Sequence, residues 1–163
     1  MIVLGLDPGT ATTGFGFIEE VEGDLKLLDY GCITTRPNTP LGERLNQICK
    51  DIEELISIHH PDEISMEEIF FSKNVKTAIK VSHARGSIMQ ELSALGYNIN
   101  EYTPNQIKEA VTGYGNADKK QVQKMVQIIL DMDHTPRPDD AADALATAIC
   151  HINQSHIKSL VSA

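Results

Sequence analysis

No apolar stretch of the chain reaches ten residues, and the N-terminus has neither a basic n-region nor an apolar h-region. Membrane insertion and export are therefore not expected, and a cytoplasmic protein is. Cysteine is scarce as well: Cys32, Cys49 and Cys150 are odd in number, widely spaced and without a C-x-x-C pair. That fits buried reduced thiols better than a disulfide frame or a zinc site. Internal repeats, low-complexity segments and linkers long enough to divide the chain are also missing. With 163 residues, 41% of them hydrophobic, one domain with one core is expected, burying about 70% of its unfolded surface.

Positive charge is the other shortage. Fourteen Lys and Arg face twenty-three Asp and Glu, for a net charge of -9, which at first argues against nucleic acid as a partner. The basic residues are clustered, however: eight of the fourteen lie between residues 73 and 124, where only four acids occur. Lys73, Lys76, Lys80, Arg85, Lys108, Lys119, Lys120 and Lys124 could present a phosphate-facing surface.

What the chain has is four carboxylates in three short contexts: Asp7 in I-V-L-G-L-D-P-G-T, Glu67 in I-S-M-E-E-I-F-F, and Asp140 with Asp143 in P-D-D-A-A-D-A-L-A. Each ends an apolar strand-like run or lies on the polar side of an Ala-rich helical run, where a lone carboxylate is costly to bury unless a positive charge shares its site.

The periodicity places them. Residues 2–7, 14–20 and 25–34 read as a three-strand meander. Thr39-Pro40 reads as an N-cap followed by Pro at the first helical position, and Leu41, Leu45, Ile48, Ile52, Leu55 and Ile56 follow at helical spacing. A short buried strand is expected over 63–70, and a second long helix over 75–95 with Val75, Ile79, Ile88, Leu92 and Leu95 inward. A last strand follows over about 97–102. Thr103-Pro104-Asn105-Gln106 is a capping box opening a short helix to about Val111, Val122 to Leu130 define the next helix, and the final helix carries Ala141 to Ile152. The order β-β-β-α-β-α-β-α-α-α implies an α/β fold with a mixed sheet flanked by helices.

Asp140 and Asp143, three apart on a helix, lie about 5–6 Å apart on one face and can share a cation. Asp139 is four from Asp143, so spacing alone does not exclude it. Asp7 follows Val3 and Gly5 by the strand period and emerges beside the Pro8-Gly9 turn. Glu67 and Glu68 point to opposite faces, and parity without register does not choose between them. Carboxylates without His or Cys select hard cations such as Mg²⁺ or Mn²⁺. The matching chemistry is two-metal phosphodiester hydrolysis by in-line displacement. The six histidines, His59, His60, His83, His134, His151 and His156, show no ligand spacing and read as surface or helix-end residues.

D-P-G-T at 7–10, P-D-E-I-S-M-E-E-I-F at 61–70, A-R-G at 84–86, Y-T-P-N-Q-I-K-E-A-V-T-G-Y-G-N-A-D-K-K-Q-V-Q at 102–123 and D-A-A-D-A-L-A at 140–146, in order and with compatible spacing, resemble the RuvC family of bacterial Holliday junction resolvases. The resemblance implies a single RNase H-like nuclease domain over 1–155, with a five-stranded mixed sheet and a short tail at 156–163. It also implies a homodimer, Mg²⁺-dependent symmetric nicking of four-way junction DNA, and action with the RuvA–RuvB branch-migration proteins. By match to the family, the catalytic and metal-binding acids fall on Asp7, Glu67, Asp140 and Asp143, with two Mg²⁺ per site and Mn²⁺ as substitute. Lys119 joins the catalytic set. Lys108 and Lys119 match lysines near DNA, Phe70 matches an aromatic that stacks on bases, and Phe71 beside it is a further DNA-facing candidate with Lys73, Lys76 and Lys80. G-L-D-P-G-T also resembles the phosphate loop of actin-like ATPases, but those need two such domains. A nuclease cutting RNA in hybrids is a further alternative.

Overall fold

The computed structural model describes residues 1–69 and 75–162. Its elements are β1 (Ile2–Asp7), β2 (Thr12–Val21), β3 (Asp24–Thr34), α1 (Leu41–His59), β4 (Glu63–Glu67), α2 (Val75–Ala94), β5 (Ile99–Tyr102), α3 (Pro104–Thr112), α4 (Lys119–Ile129) and α5 (Asp139–Ser162). The five strands form one sheet in the order β3-β2-β1-β4-β5. The meander β1-β2-β3 is antiparallel, while β4 lies parallel to β1 and β5 parallel to β4. The expected mixed five-stranded sheet is what forms.

Strand alternation divides the core in two. Leu4, Leu6, Phe17, Ile64 and Met66 point to one face, where Ile48, Ile52 and Ile56 of α1 and Ile88 and Leu92 of α2 cover them. Val3 and Ile18 point to the other, under Leu145, Ile149 and Ile152 of α5, with Ile107 and Val111 of α3 and Val122 and Val126 of α4 completing that layer. The central strands β1 and β4 are thus covered on both sides, so they read as near-continuous apolar runs.

Several elements depart from the sequence expectation. In α1, Pro40 is itself the N-cap and makes no side-chain cap bond; Leu41 is exposed. The fourth and fifth strands are shorter than expected, because the hydrogen-bonded ladder ends at Glu67 and begins at Ile99. On α2 the inward residues are Ala84, Arg85, Ile88 and Leu92, whereas Val75, Ile79 and Leu95 are exposed. An alanine and an arginine on a buried stripe give no hydrophobic signal, so the periodicity favoured the wrong turns at both helix ends. The residues after Gln154 continue α5, and Ile157, Leu160 and Val161 are exposed on it.

The histidine reading fails at His151, which is 3% exposed. Its Nδ1 lies 2.8 Å from Tyr102 Oη and its Nε2 2.5 Å from Glu63 Oε2. Partners on β4 and β5 make burial affordable, and no spacing within α5 reveals them. His59 also turns inward, stacking on Phe17 with centroids 4.3 Å apart and meeting Asp29 at 3.0 Å. Among the described residues no helix is long and apolar enough to cross a membrane. All three cysteines are free, Cys150 buried and the other two partly so.

Candidate active site

The acids converge because glycine lets α5 lie directly on the sheet. On the α5 face of β1 and β2, Val3 pairs with Ile18, Gly5 with Gly16 and Asp7 with Gly14. A Cβ on Gly5 would fall 2.0 Å from the backbone oxygen of Ala144, and one on Gly14 1.9 Å from that of Asp140. No other residue permits that approach. The bare patch seats the first turns of α5 against the end of β1, so ligand oxygens of Asp7, Asp140 and Asp143 lie within 4.8 Å of one another. These glycines were missed in the sequence, although glycine inside a strand is a recognised sign of close backbone approach.

The turn after Asp7 is pinned by threonines. Thr13 Oγ1 donates to Gly9 O at 2.8 Å, Thr35 Oγ1 donates to Thr10 O at 2.6 Å, and Thr10 Oγ1 donates to the Lys80 carbonyl at 2.8 Å. Asp7 therefore leaves the strand from a backbone with little freedom.

Register resolves the choice between Glu67 and Glu68. Val3 pairs with Glu63 and Gly5 with Ser65, so Glu63, Ser65 and Glu67 share the α5 face, and Glu67 sits at the strand end beside Asp7. Glu68 is exposed. Glu67 lies outside the trio of mutually close acids but lines a pocket of about 320 Å³ with Asp143, Lys108, Lys119 and Pro104. Its main chain is held by Arg85, whose Nη1 donates to Glu67 O at 2.5 Å while Nη2 pairs with Glu101. Arg85 is buried, so it faces no phosphate as the charge clustering had suggested; it ties α2 to the ends of β4 and β5.

Electrostatics at the site are dominated by crowding. Burial, then the charges of Asp143, Asp140 and Glu67, push the Asp7 carboxyl up to about 8. Burial also raises Glu67, helped by Asp143 and opposed by Lys108, Lys119 and Arg85. Asp143 is raised by burial against the pull of Lys119. Lys119 Nζ lies 2.9 Å from Asp143 Oδ2 and 3.5 Å from Asp139 Oδ2. Burial lowers the affinity of that amine for its proton, but the hydrogen bond and charge of Asp143 and Asp139 outweigh it, leaving an ammonium.

Lys108 and Lys119 both line the pocket, and two ammonium groups do not balance four carboxylates. The donor set is all oxygen, close-set and short of positive charge, which fits a hard divalent cation and not zinc or copper. Asp139 is exposed, accepts from Gln123 Nε2 at 2.9 Å and faces Lys119. Lys80 borders a groove with Gly9, Thr10, Arg44, His83 and Asp140. Lys76 is exposed on the first turns of α2. Phe70, Phe71 and Lys73 lie outside the described residues.

Comparison with known proteins gives a consistent outcome. The family model described as crossover junction endodeoxyribonuclease RuvC matches residues 3–151. The RuvC crossover junction endodeoxyribonuclease of Syntrophomonas wolfei is 49% identical over 161 residues, covering 99% of this chain and 94% of that one. Among solved structures, Thermus thermophilus RuvC superposes with a TM-score of 0.89 at 34% identity, each chain covered to 97%. The same protein in complex with Holliday junction substrate gives 0.91 at 32% identity, covering 98% of this chain and 97% of the other. The fold is RNase H-like.

Proposed function

This chain belongs to the RuvC family of crossover junction endodeoxyribonucleases, and on that premise we propose that it is a Holliday junction resolvase making paired symmetric nicks in four-way DNA during recombination and repair. The observation that carries the reading is the convergence of Asp7, Asp140 and Asp143 within 4.8 Å at the end of the sheet where Glu67, Lys108 and Lys119 also gather.

In this reading Asp7, Glu67, Asp140 and Asp143 hold two Mg²⁺ ions, with Mn²⁺ able to replace them. Such ions supply a hydroxide-like nucleophile and charge stabilisation for the leaving 3′ oxygen. The chain's own groups do the rest. The Gly5 and Gly14 contacts fix α5 against β1, which sets the spacing of the carboxylates. Arg85 fixes the end of β4 through the Glu67 carbonyl, so the Glu67 side chain departs from a held backbone. Lys119, kept protonated by Asp143, brings a fixed positive charge beside the reacting phosphate, where charge develops in the transition state. Lys108, which lines the same pocket, attracts the strand, while Lys73, Lys76 and Lys80 neutralise further phosphates. Phe70, with Phe71 as its neighbour, is assigned to stacking on a base at the opened junction.

The active form is a homodimer, since a symmetric pair of nicks calls for two equivalent sites. Val75 and Ile79, exposed on one face of α2, are suited to meet a second copy. The protein is cytoplasmic and works with RuvA and RuvB. A nicking assay on a synthetic mobile four-way junction tests the reading: paired, ligatable nicks with Mg²⁺ and none with Ca²⁺ are expected. Preference for an RNA/DNA duplex over the junction, or ATP hydrolysis without DNA, would overturn it.

A further inference from the structure

Beside the acid pocket lies a second groove, of about 470 Å³, between the turn that follows α3 and the first turns of α4. Thr112, Tyr114, Lys120, Gln121, Lys124 and Met125 line it, and it shares Ala117 and Asp118 with the pocket that holds Glu67 and Asp143.

The groove presents an aromatic ring on a rigid mount. Gly113 takes a left-handed conformation (φ 74°) to end α3. The Thr112 hydroxyl, 2.7 Å from Lys108 O and 2.9 Å from Tyr114 O, accepts from Tyr114 N at 3.1 Å, and Ala117 N donates to Tyr114 O at 3.2 Å. Both backbone groups of Tyr114 are thus fixed, while its side chain is left in solvent, the residue being 57% exposed.

The lysines point the same way. Lys120 and Lys124, four apart, share the face of α4 opposite the buried Val122 and Val126. Lys119 and Lys120 occupy the first turn of a helix with no acid in that turn, where cations oppose the helix dipole. Lys119 is answered by Asp143 and Asp139. Lys120 has no ion-pair partner among the described residues, and Lys124 only donates to Gln127 Oε1 at 3.0 Å. The helix N-terminus is itself closed by the Asp118 capping box, so the attraction for an anion comes from these side chains.

We propose that this groove is a second DNA subsite, in which a base or deoxyribose of the bound strand stacks on Tyr114 while Lys120 and Lys124 take its flanking phosphates. The proposal rests on the resolvase reading. It is tested by fluorescence anisotropy of a synthetic four-way junction in Ca²⁺ across a salt series, with thermal melting of each free variant. Tyr114→Ala is expected to lose at least about five-fold in affinity, since stacking contributes about that much or more per base, with an unchanged salt slope and melting temperature. Tyr114→Phe should bind as the unsubstituted protein does, because the ring is kept. Lys120→Ala should flatten the salt slope by about one. Unchanged affinity in Tyr114→Ala, or a fall in its melting temperature that accounts for the loss, would overturn the subsite. Failure of the unsubstituted protein to bind or nick any junction would instead sink the resolvase reading, so the two failures are distinguishable.

Discussion

Replacing Gly14 by alanine tests whether the glycine patch builds the active site. The new methyl carbon would sit 1.9 Å from the Asp140 carbonyl oxygen and 2.3 Å from its carbon, both backbone atoms of a helix that spans the sheet. Neither atom can swing aside, so α5 must lift by roughly 1–1.5 Å to restore an ordinary contact. Overpacking of this kind costs about 1–3 kcal/mol, offset by roughly 0.5–1 kcal/mol because alanine loses less chain entropy than glycine. The net cost is then at most about 2.5 kcal/mol, so a domain of this size should melt lower by up to about 10 °C. The functional loss should be larger than the stability loss suggests, since a displacement of about 1 Å at a reacting centre can cost around 10²-fold in rate. Single-turnover nicking of a four-way junction, titrated with Mn²⁺, should show a slower rate and a higher metal requirement while junction binding persists. Gly42→Ala is the control: nothing lies within 4 Å of that position, and α1 should gain roughly 0.5–1 kcal/mol. A folded Gly14→Ala protein with the original rate and metal dependence would refute the positioning argument.

Asp7→Asn should abolish nicking while junction binding survives or strengthens. For Asp7 the folded value of about 8 against 3.8 means that, without metal, its favourable contribution is intact below about pH 4 and is lost as pH rises towards 8. Metal-free Asp7→Asn should therefore be more stable than the parent at pH 7.5, and should gain less from added Mn²⁺; denaturant melts with and without metal check both signs. Lys119→Ala should slow cleavage by up to about 10²-fold with little change in affinity, whereas Lys76→Ala should weaken binding slightly and leave the bound rate intact; equal effects in both assays would contradict that division. Arg85→Ala strands the Glu67 carbonyl and Glu101, costing about 1–3 kcal/mol, and should lower the rate at saturating DNA more than the affinity. Arg85→Lys keeps the charge but not the two-pronged geometry, so only partial recovery of that rate is expected; full recovery would show that charge alone suffices.

Much of this architecture was legible because it depends on local period. The strand parity of Asp7, the helical spacing of Asp140 and Asp143, and the capping box at Thr103 each follow from a few neighbouring residues. What the sequence left open depends on pairs distant in the chain. Glu67 and Glu68 separate only once β4 is in register with β1. Arg85 read as a surface cation because its partners, Glu67 and Glu101, lie on two different strands. His151 read as a helix-end residue because Tyr102 and Glu63, which make its burial tolerable, also come from two strands. At the ends of α2, Val75 and Ile79 carried a helical pattern with no sheet beneath them.

Asp7 stands on the first strand of the sheet, whereas Asp140 and Asp143 ride on α5, which follows every strand of the sheet in the chain. A chain emerging from the ribosome can pair β1, β2 and β3 early, yet its cluster of carboxylates does not exist until α5 has been released and has settled onto Gly5 and Gly14. Chains that stop before α5 therefore lack two of the three acids that cluster at the end of β1.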